Sequence, residues 1–442
     1  MFLVLKFGGT SVGTAQRIKD LVKFTGGAEA KIVVLSAMSG TTNMLVEICE
    51  SLYSKEIEKA NEKISKLDEK YREVINELFS KKESLLKATE LLNYHFNHIR
   101  SFTLDMFTAN EEKAILAQGE LLSTALFHFY LEEIDVTSTL LPALNFMRID
   151  ANDEPDLNYI EKYLGEEIAK HPGQKLFITQ GYICRNVFGE IDNLKRGGSD
   201  YSASIIGAAI HSPEIQIWTD IDGMHNNDPR IVDKTHPIHE LSFDEAAELA
   251  YFGAKILHPT CILPAKKRNI PVRLKNTLQP DAKGTLIANI DTNEGIKAVA
   301  AKDGITAINI KSDRMLLAHG FLRAVFEIFE RYKTPIDMIC TSEVAVSLTI
   351  DNQQNLAKIV AELKEIALVE IDENQTIICI VGQLPKDRAG YAFRVLESLK
   401  KIPLRMVSYG GSSNNISVLV NGNLKKTALE ALNNGLFNSN KH

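Results

Sequence analysis

Between Gly40 and Gly119 the chain carries neither glycine nor proline, and Glu, Lys, Leu and Ala dominate the stretch. Glycine loses the most backbone entropy on entering a helix, and proline removes a donor and clashes with the preceding turn. A long segment free of both and rich in strong helix formers therefore has few folds open to it. It predicts a run of long helices over 43–133. The charge in it, as from Lys55 to Glu73, fits solvated helix faces, with a partner surface as the other reading.

The residues around this block alternate instead. Phe2 to Phe7 is an apolar run, Thr14 to Phe24 reads as helix, and Lys31 to Ser36 is β-rich; strand-like runs resume at Lys175 to Thr179 and Ile215 to Thr219. Such alternation implies an α/β fold with a largely parallel sheet between helices, and ligands at the carboxyl ends of its strands. A turn-rich connection near Pro280 to Thr292 marks the main boundary, giving domains at 1–288 and 289–442. The second holds an imperfect repeat. Gly320-Phe321 opens a helix leading to Pro335 and the strand Val344 to Ile350, and Gly390-Tyr391 opens another leading to Pro403 and the strand Ile416 to Val420. Each unit reads as a ferredoxin-like module, at 304–373 and 374–440, the second completed by a strand from 295–303.

Several partners are disfavoured. The formal charge is −7 with no basic block, so no nucleic-acid partner is expected. No apolar run reaches the roughly 18 residues of a membrane span, and the N-terminus enters a strand without the pattern of a signal peptide, so the cytoplasm is expected. The five cysteines lack metal or disulfide spacing and read as small buried residues.

The chemistry sits in glycine-rich turns. Lys6-Phe7-Gly8-Gly9-Thr10-Ser11 ends a strand in a lysine and follows it with two glycines and two hydroxyls, which reads as a phosphate-handling turn; an ordinary turn with a solvated lysine is the alternative. The lysine precedes the glycines, so this is not a P-loop. Arg196-Gly197-Gly198-Ser199-Asp200 opens a second helix, where Asp200 either caps the helix or orients a lysine. Trp218-Thr219-Asp220-Ile221-Asp222-Gly223 with His225 and Asp228-Pro229-Arg230 forms a polar loop at a strand end, suited to a nucleotide, and Gly253-Ala254-Lys255-Ile256 adds a lysine within reach of phosphate. His258 reads as a packing or hydrogen-bonding residue rather than a base. Gln118-Gly119-Glu120 is expected to start a helix, with Glu120 at its positive end, either balancing the dipole or pairing with a substrate ammonium.

These clusters in order, with SAMSGTTN at 36–43 and the distal repeat, resemble aspartate kinases of the amino-acid kinase superfamily, whose C-terminal pair of ferredoxin-like modules are ACT domains. The resemblance implies transfer of the γ-phosphoryl of ATP to the side-chain carboxylate of L-aspartate. It implies catalytic roles for Lys6 and Asp200, aspartate binding by Thr42, Glu120, Arg196 and Ser199, and ATP binding by Lys6, Gly8, Gly9, Thr219, Asp220, His225, Arg230, Lys255 and Ile256, with Mg2+ carried on the phosphates. In the first ACT module, Met315, Ala318, Phe321, Leu322, Asp337, Thr341, Ser342 and Glu343 match a lysine-sensitive pattern. A monofunctional homodimer joined through ACT domains is implied, with a tetramer as the larger alternative. Departures from the family pattern are Asp192 to Lys195 in place of TTLG, His225 where tyrosine is common, and Ala318 for a usual serine. Another carboxylate kinase of this fold, such as a glutamate 5-kinase, and a catalytically silent amino-acid sensor are the alternatives.

Overall fold

A computed structural model describes residues 1–104, 106–194, 197–253, 258–291, 293–312 and 319–438. The chain forms two compact units, Met1–Gly223 with Leu257–Asn289 and Met224–Ile256 with Ile290–His442. Residues 224–256, read from sequence as part of the first domain, thus group with the second. Their packing explains it: Val232 joins an apolar core with Ile378, Ile380 and Val418, and the Val299 N–H donates to the Asn226 carbonyl at 2.8 Å.

In the first unit six described strands run parallel in the order Thr139–Leu141, Leu176–Gln180, Ala30–Leu35, Phe2–Phe7, Ile215–Thr219, Val272–Asn276, and Thr285–Ala288 adds antiparallel to the last. Phe2–Phe7 is central, and its last four residues are buried, as the apolar run requires of a strand covered on both faces.

The glycine-free block folds into Thr41–Tyr53, Ile57–Leu78, Lys82–Ser101 and Ala109–Glu133. Ile64, Leu67, Tyr71, Leu92, Phe96 and Leu126 share one core with Leu5 and Phe7 of the sheet, each large side chain contributing about 1.5–3 kcal/mol by burial.

The last of these helices corrects one expectation. It starts at a capping box formed by Thr108 and Glu111, so Gln118, Gly119 and Glu120 lie in its middle and Glu120 is not at a positive helix end. Gly119 is there for space, since a Cβ on it would stand 2.7 Å from the Ala37 Cβ.

The second unit is built on a six-stranded sheet in the order Met338–Thr341, Ala345–Ile350, Gly295–Lys311, Leu368–Gln383, Asn415–Asn421, Met406–Tyr409. Two long strands run through both modules. Residues 305–311 pair with Ala345–Ile350 and with 368–375, while 295–302 pair with 377–383. One core gathers Ile308, Ile310, Val325, Phe329 and Leu348, the other Val299, Ile378, Val395, Val418 and Leu432. The first half has the βαββαβ order of a ferredoxin-like module; the second runs βαββα and takes its fourth strand from upstream of the first.

Candidate active site

Lys6 is the penultimate residue of the central strand, paired to Val34 on one side and Ile217 on the other. Its ammonium lies 2.6 Å from Asp200 Oδ1, with side chains 10 % and 18 % exposed. Asp200 occupies the first turn of the helix Gly198–Ala209, whose N-cap is Gly197 in the left-handed region, without a side-chain cap bond. Asp200 thus stands in the first turn of a helix and in ion-pair contact with Lys6 at once. A buried ion pair adds little stability over an apolar replacement, so its place beside an open cavity argues for use in chemistry.

Gly8 is extended at φ −73° and ψ 169°, and Gly9–Val12 forms a short 3-10 turn, so no left-handed backbone is used. Gly9 is needed for close approach, because a Cβ there would meet the Ala37 carbonyl oxygen at 2.9 Å. That contact seats the turn against residues 36–40, where the Ser39 N–H donates to the Gly9 carbonyl at 3.1 Å.

Between these segments lies a cavity of about 470 Å³, with walls that include Gly9, Thr10, Thr42, Glu120, Tyr182 and Ser199. Two helices point their N-termini at it, Thr41–Tyr53 after a left-handed Gly40 and Gly198–Ala209 after Gly197. Free N–H groups and the positive dipole end favour anions at both places.

Glu120 stands opposite in character. Its Oε1 accepts from the Ala37 N–H at 3.1 Å, while its Oε2 is buried with no partner among the described residues. Burial pushes this carboxyl up to about 8, against the weaker pull of the Ala37 N–H and of Lys6. A cavity with two anion-favouring corners, a lysine nearby and one unsatisfied carboxylate suits a ligand with two acidic groups and one ammonium.

Tyr182, which the sequence reading missed, also lines the cavity. Its φ is +66°, an unusual conformation for a bulky residue, and its N–H donates to Ser202 Oγ at 2.8 Å. Burial and then the charge of Glu120 push its hydroxyl to about 12.

The remaining predicted residues divide. Thr219 closes its strand, its Oγ1 accepting from the Ile221 N–H at 3.0 Å, and Asp220 follows it, exposed, in the first unit. His225 and Arg230 belong to the second unit. His225 Nδ1 is 2.9 Å from Thr235 Oγ1, and Arg230 is exposed but forked onto Asp228 at 2.9 and 2.7 Å, which raises the guanidinium further and lowers the Asp228 carboxyl. His258 caps a short turn by accepting from the Thr260 N–H, as a hydrogen-bonding residue would. Among the effector residues, Phe321 begins the helix Phe321–Arg331, Leu322 follows it, and Thr341 ends the strand Met338–Thr341. The Ser342 N–H donates to the Ala345 carbonyl at 2.8 Å, and Glu343 is exposed. Arg196, Lys255, Ile256, Met315 and Ala318 lie outside the described residues. The five cysteines are free, and Cys340 alone among them is half-buried rather than buried.

Comparison with known proteins identifies the family. A model of the amino acid kinase family matches residues 1–276 and an ACT domain model matches 378–436. The chain is 33 % identical over 461 residues to lysine-sensitive aspartokinase 3 of Escherichia coli, covering 98 % of this chain and 99 % of that protein. It is 34 % identical over 463 residues to chloroplastic aspartokinase 1 of Arabidopsis thaliana, covering 99 % and 80 %. The crystal structure of E. coli aspartokinase III with aspartate and ADP matches with TM-score 0.86 at 32 % identity, covering 99 % of this chain and 100 % of that one. The form of that enzyme with lysine and aspartate matches at 0.81 and 32 %, covering 99 % of each.

Proposed function

The chain belongs to the amino acid kinase family and, within it, to the aspartokinases, and from that premise we propose how its residues phosphorylate L-aspartate. The reaction transfers the γ-phosphoryl of ATP to the side-chain carboxylate, giving 4-phospho-L-aspartate and ADP, the first step towards lysine or diaminopimelate, threonine and methionine. A carboxylate oxygen forms the new bond to phosphorus while the bond to the β–γ bridging oxygen breaks and its electrons leave with ADP. Phosphoryl transfer asks of a protein mainly position and charge compensation.

The observation that carries the assignment is the Lys6–Asp200 pair beside a cavity holding the unpartnered oxygen of Glu120. Lys6 neutralises charge on the transferring group, Asp200 fixes its ammonium, and Gly8 and Gly9 let the phosphate approach the backbone. Glu120 takes the substrate ammonium, Arg196 a carboxylate, and Thr42 and Ser199 orient the substrate from the two helix N-termini. Thr219, Asp220, His225, Arg230, Lys255 and Ile256 are assigned to ATP by their match to the family pattern. Magnesium carried on ATP would supply further charge compensation at its phosphates. The donors at the cavity suit phosphate oxygens, and the ion is assigned to the phosphates.

Lysine is the proposed inhibitor, acting at the first ACT module. Asp337 supports this: its side chain is 1 % exposed, and its Oδ2 has no partner among the described residues, ready for an ammonium. A relative has been solved with lysine bound. We assign the enzyme to the cytoplasm as a homodimer joined through its ACT domains, with a tetramer as the larger form; no described helix is long and apolar enough to cross a membrane.

A coupled ADP assay with aspartate or glutamate, repeated with lysine, threonine and methionine, tests these assignments. Turnover of aspartate alone, inhibited by lysine, is expected; preference for glutamate would identify another carboxylate kinase, and no turnover a silent sensor.

A further inference from the structure

Tyr182 stands where the backbone has little freedom to move. It is the centre of a three-residue turn closed by the Ile183 N–H, which donates to the Gly181 carbonyl at 2.7 Å, and its φ of +66° is costly for a bulky side chain. Both of its own peptide groups are taken, the N–H by Ser202 Oγ at 2.8 Å and the carbonyl by the Leu194 N–H at 2.8 Å. Gly181 before it can be nothing larger, since a Cβ there would lie 2.3 Å from the Ser199 Cβ. Strained residues persist only where their surroundings over-determine them, and they gather at ligand clamps. Among the described non-glycine residues with left-handed φ, Tyr182 alone lines the cavity.

The segment that takes the place of the family's TTLG supplies the buttress. Ile183–Arg185 pairs antiparallel with Ile191–Asn193, and Asp192, its side chain 4 % exposed, meets the Lys113 ammonium at 2.5 Å. Lys113 and Glu120 share the helix Ala109–Glu133, so the hairpin that starts after Tyr182 is clamped to the element that carries Glu120. The ring runs between groups assigned to the substrate. One edge lies against Gly198, where a Cβ would touch its Cδ2 at 3.5 Å, and Glu120 is the charged group that acts most on its hydroxyl.

We propose that Tyr182 is a specificity-determining residue: its ring is a fixed wall that limits the length of an amino-acid substrate bound between the helix N-terminus at Gly198 and Glu120. This role rests on the reaction proposed above. With its ammonium held at Glu120 and one carboxylate at the helix end, the amino acid lies along the ring. Glutamate carries one methylene more than aspartate, and a wall that cannot retreat leaves no room for it. Discrimination by one methylene is worth about ten- to two-hundredfold in kcat/KM.

The test uses two variants of the full-length chain. Tyr182→Gly removes the ring and suits the left-handed φ, while Tyr182→Phe keeps the ring without the hydroxyl. Both are compared with wild type in the coupled ADP assay for kcat/KM with aspartate and with glutamate. Wild type and Y182F should prefer aspartate to the same degree. Y182G should narrow that preference by about tenfold or more, with the KM for glutamate improving relative to that for aspartate. Should Y182G melt below the assay temperature, Tyr182→Asn, which also tolerates a left-handed φ, takes its place.

A residue with a structural role only would, on removal, depress turnover of both substrates equally. An unchanged ratio in the ring-deleted variant, beside a wild type that prefers aspartate, therefore overturns the wall and leaves the reaction standing. A loss of preference in Y182F as large as in Y182G would move the discrimination to the hydroxyl and overturn the wall as well. A wild type that prefers glutamate, or turns over neither, overturns the reaction and the role of Tyr182 with it.

Discussion

Glu120→Gln isolates the most unusual group in the cavity. The wild-type carboxyl stands at about 8 against an ordinary 4.5 because burial opposes its charge, so at pH 7 about one molecule in ten has it ionised. If the ionised form takes the aspartate ammonium, charging it at pH 7 costs about 1.4 kcal/mol. The aspartate KM should then fall nearly tenfold per unit from pH 6 to pH 7.5 and flatten above 8. The same shift has a sign in stability. A carboxyl whose folded value is raised binds protons longer folded than unfolded, so stability is full below about 4.5 and is lost as pH rises through about 8. The gap of about 3.5 units corresponds to about 5 kcal/mol. The amide that replaces the carboxyl has no charge to bury. The variant should show a flat KM profile, an aspartate KM raised ten- to a hundredfold at pH 8.5 from a lost charge-assisted contact of about 1.5–3 kcal/mol, and a Tm that declines less between pH 5 and 9. Aspartate kinetics and thermal melts across that pH range are the assays. A wild-type KM independent of pH, or an identical slope in the variant, would refute the reasoning.

Lys6→Met should lower kcat by about 10²–10³ or more, the scale of one lost charge-stabilising donor, with aspartate binding by calorimetry retained; near-normal turnover would remove Lys6 from the phosphoryl site. Gly119→Val should destabilise the first unit by about 1–3 kcal/mol through overpacking against Ala37, visible as a lower midpoint in urea. Asp337→Asn should raise the half-inhibitory lysine concentration about tenfold or more, as a charge-assisted contact becomes a neutral one, measured at fixed ATP; a wild-type titration flat to millimolar lysine would reject lysine as the effector.

The features legible from sequence were those set by local pattern. The glycine-free block had to be helical, the apolar runs at 2–7 and 215–219 had to be buried strands, and the repeat of glycine-opened helices followed by strands marked the two modules. What escaped depended on contacts between distant segments. The division of the strand Gly295–Lys311 did not escape, since the sequence has 295–303 completing the second module and the halves of the strand do pair with different parts of Leu368–Gln383. Residues 224–256 follow the kinase strands in sequence, yet Val232 and Asn226 pack onto the regulatory core. Nothing local marks Tyr182 for φ +66°.

The misplacement of Glu120 had a local signal that outweighed Gly119: the Thr108-x-x-Glu111 capping box upstream, which starts the helix well before residue 118. The difference changes the chemistry. At a helix N-terminus the dipole would hold a carboxylate ionised, and its pairing with an ammonium would be insensitive to neutral pH. In the middle of a buried helix, with Gly119 drawing its backbone against Ala37, Glu120 receives one N–H and no dipole assistance. Its charge becomes favourable chiefly when a ligand ammonium arrives to share it. That coupling favours a ligand with an ammonium over a plain dicarboxylate, so succinate should compete with aspartate only weakly, and less weakly as pH falls and Glu120 takes up its proton.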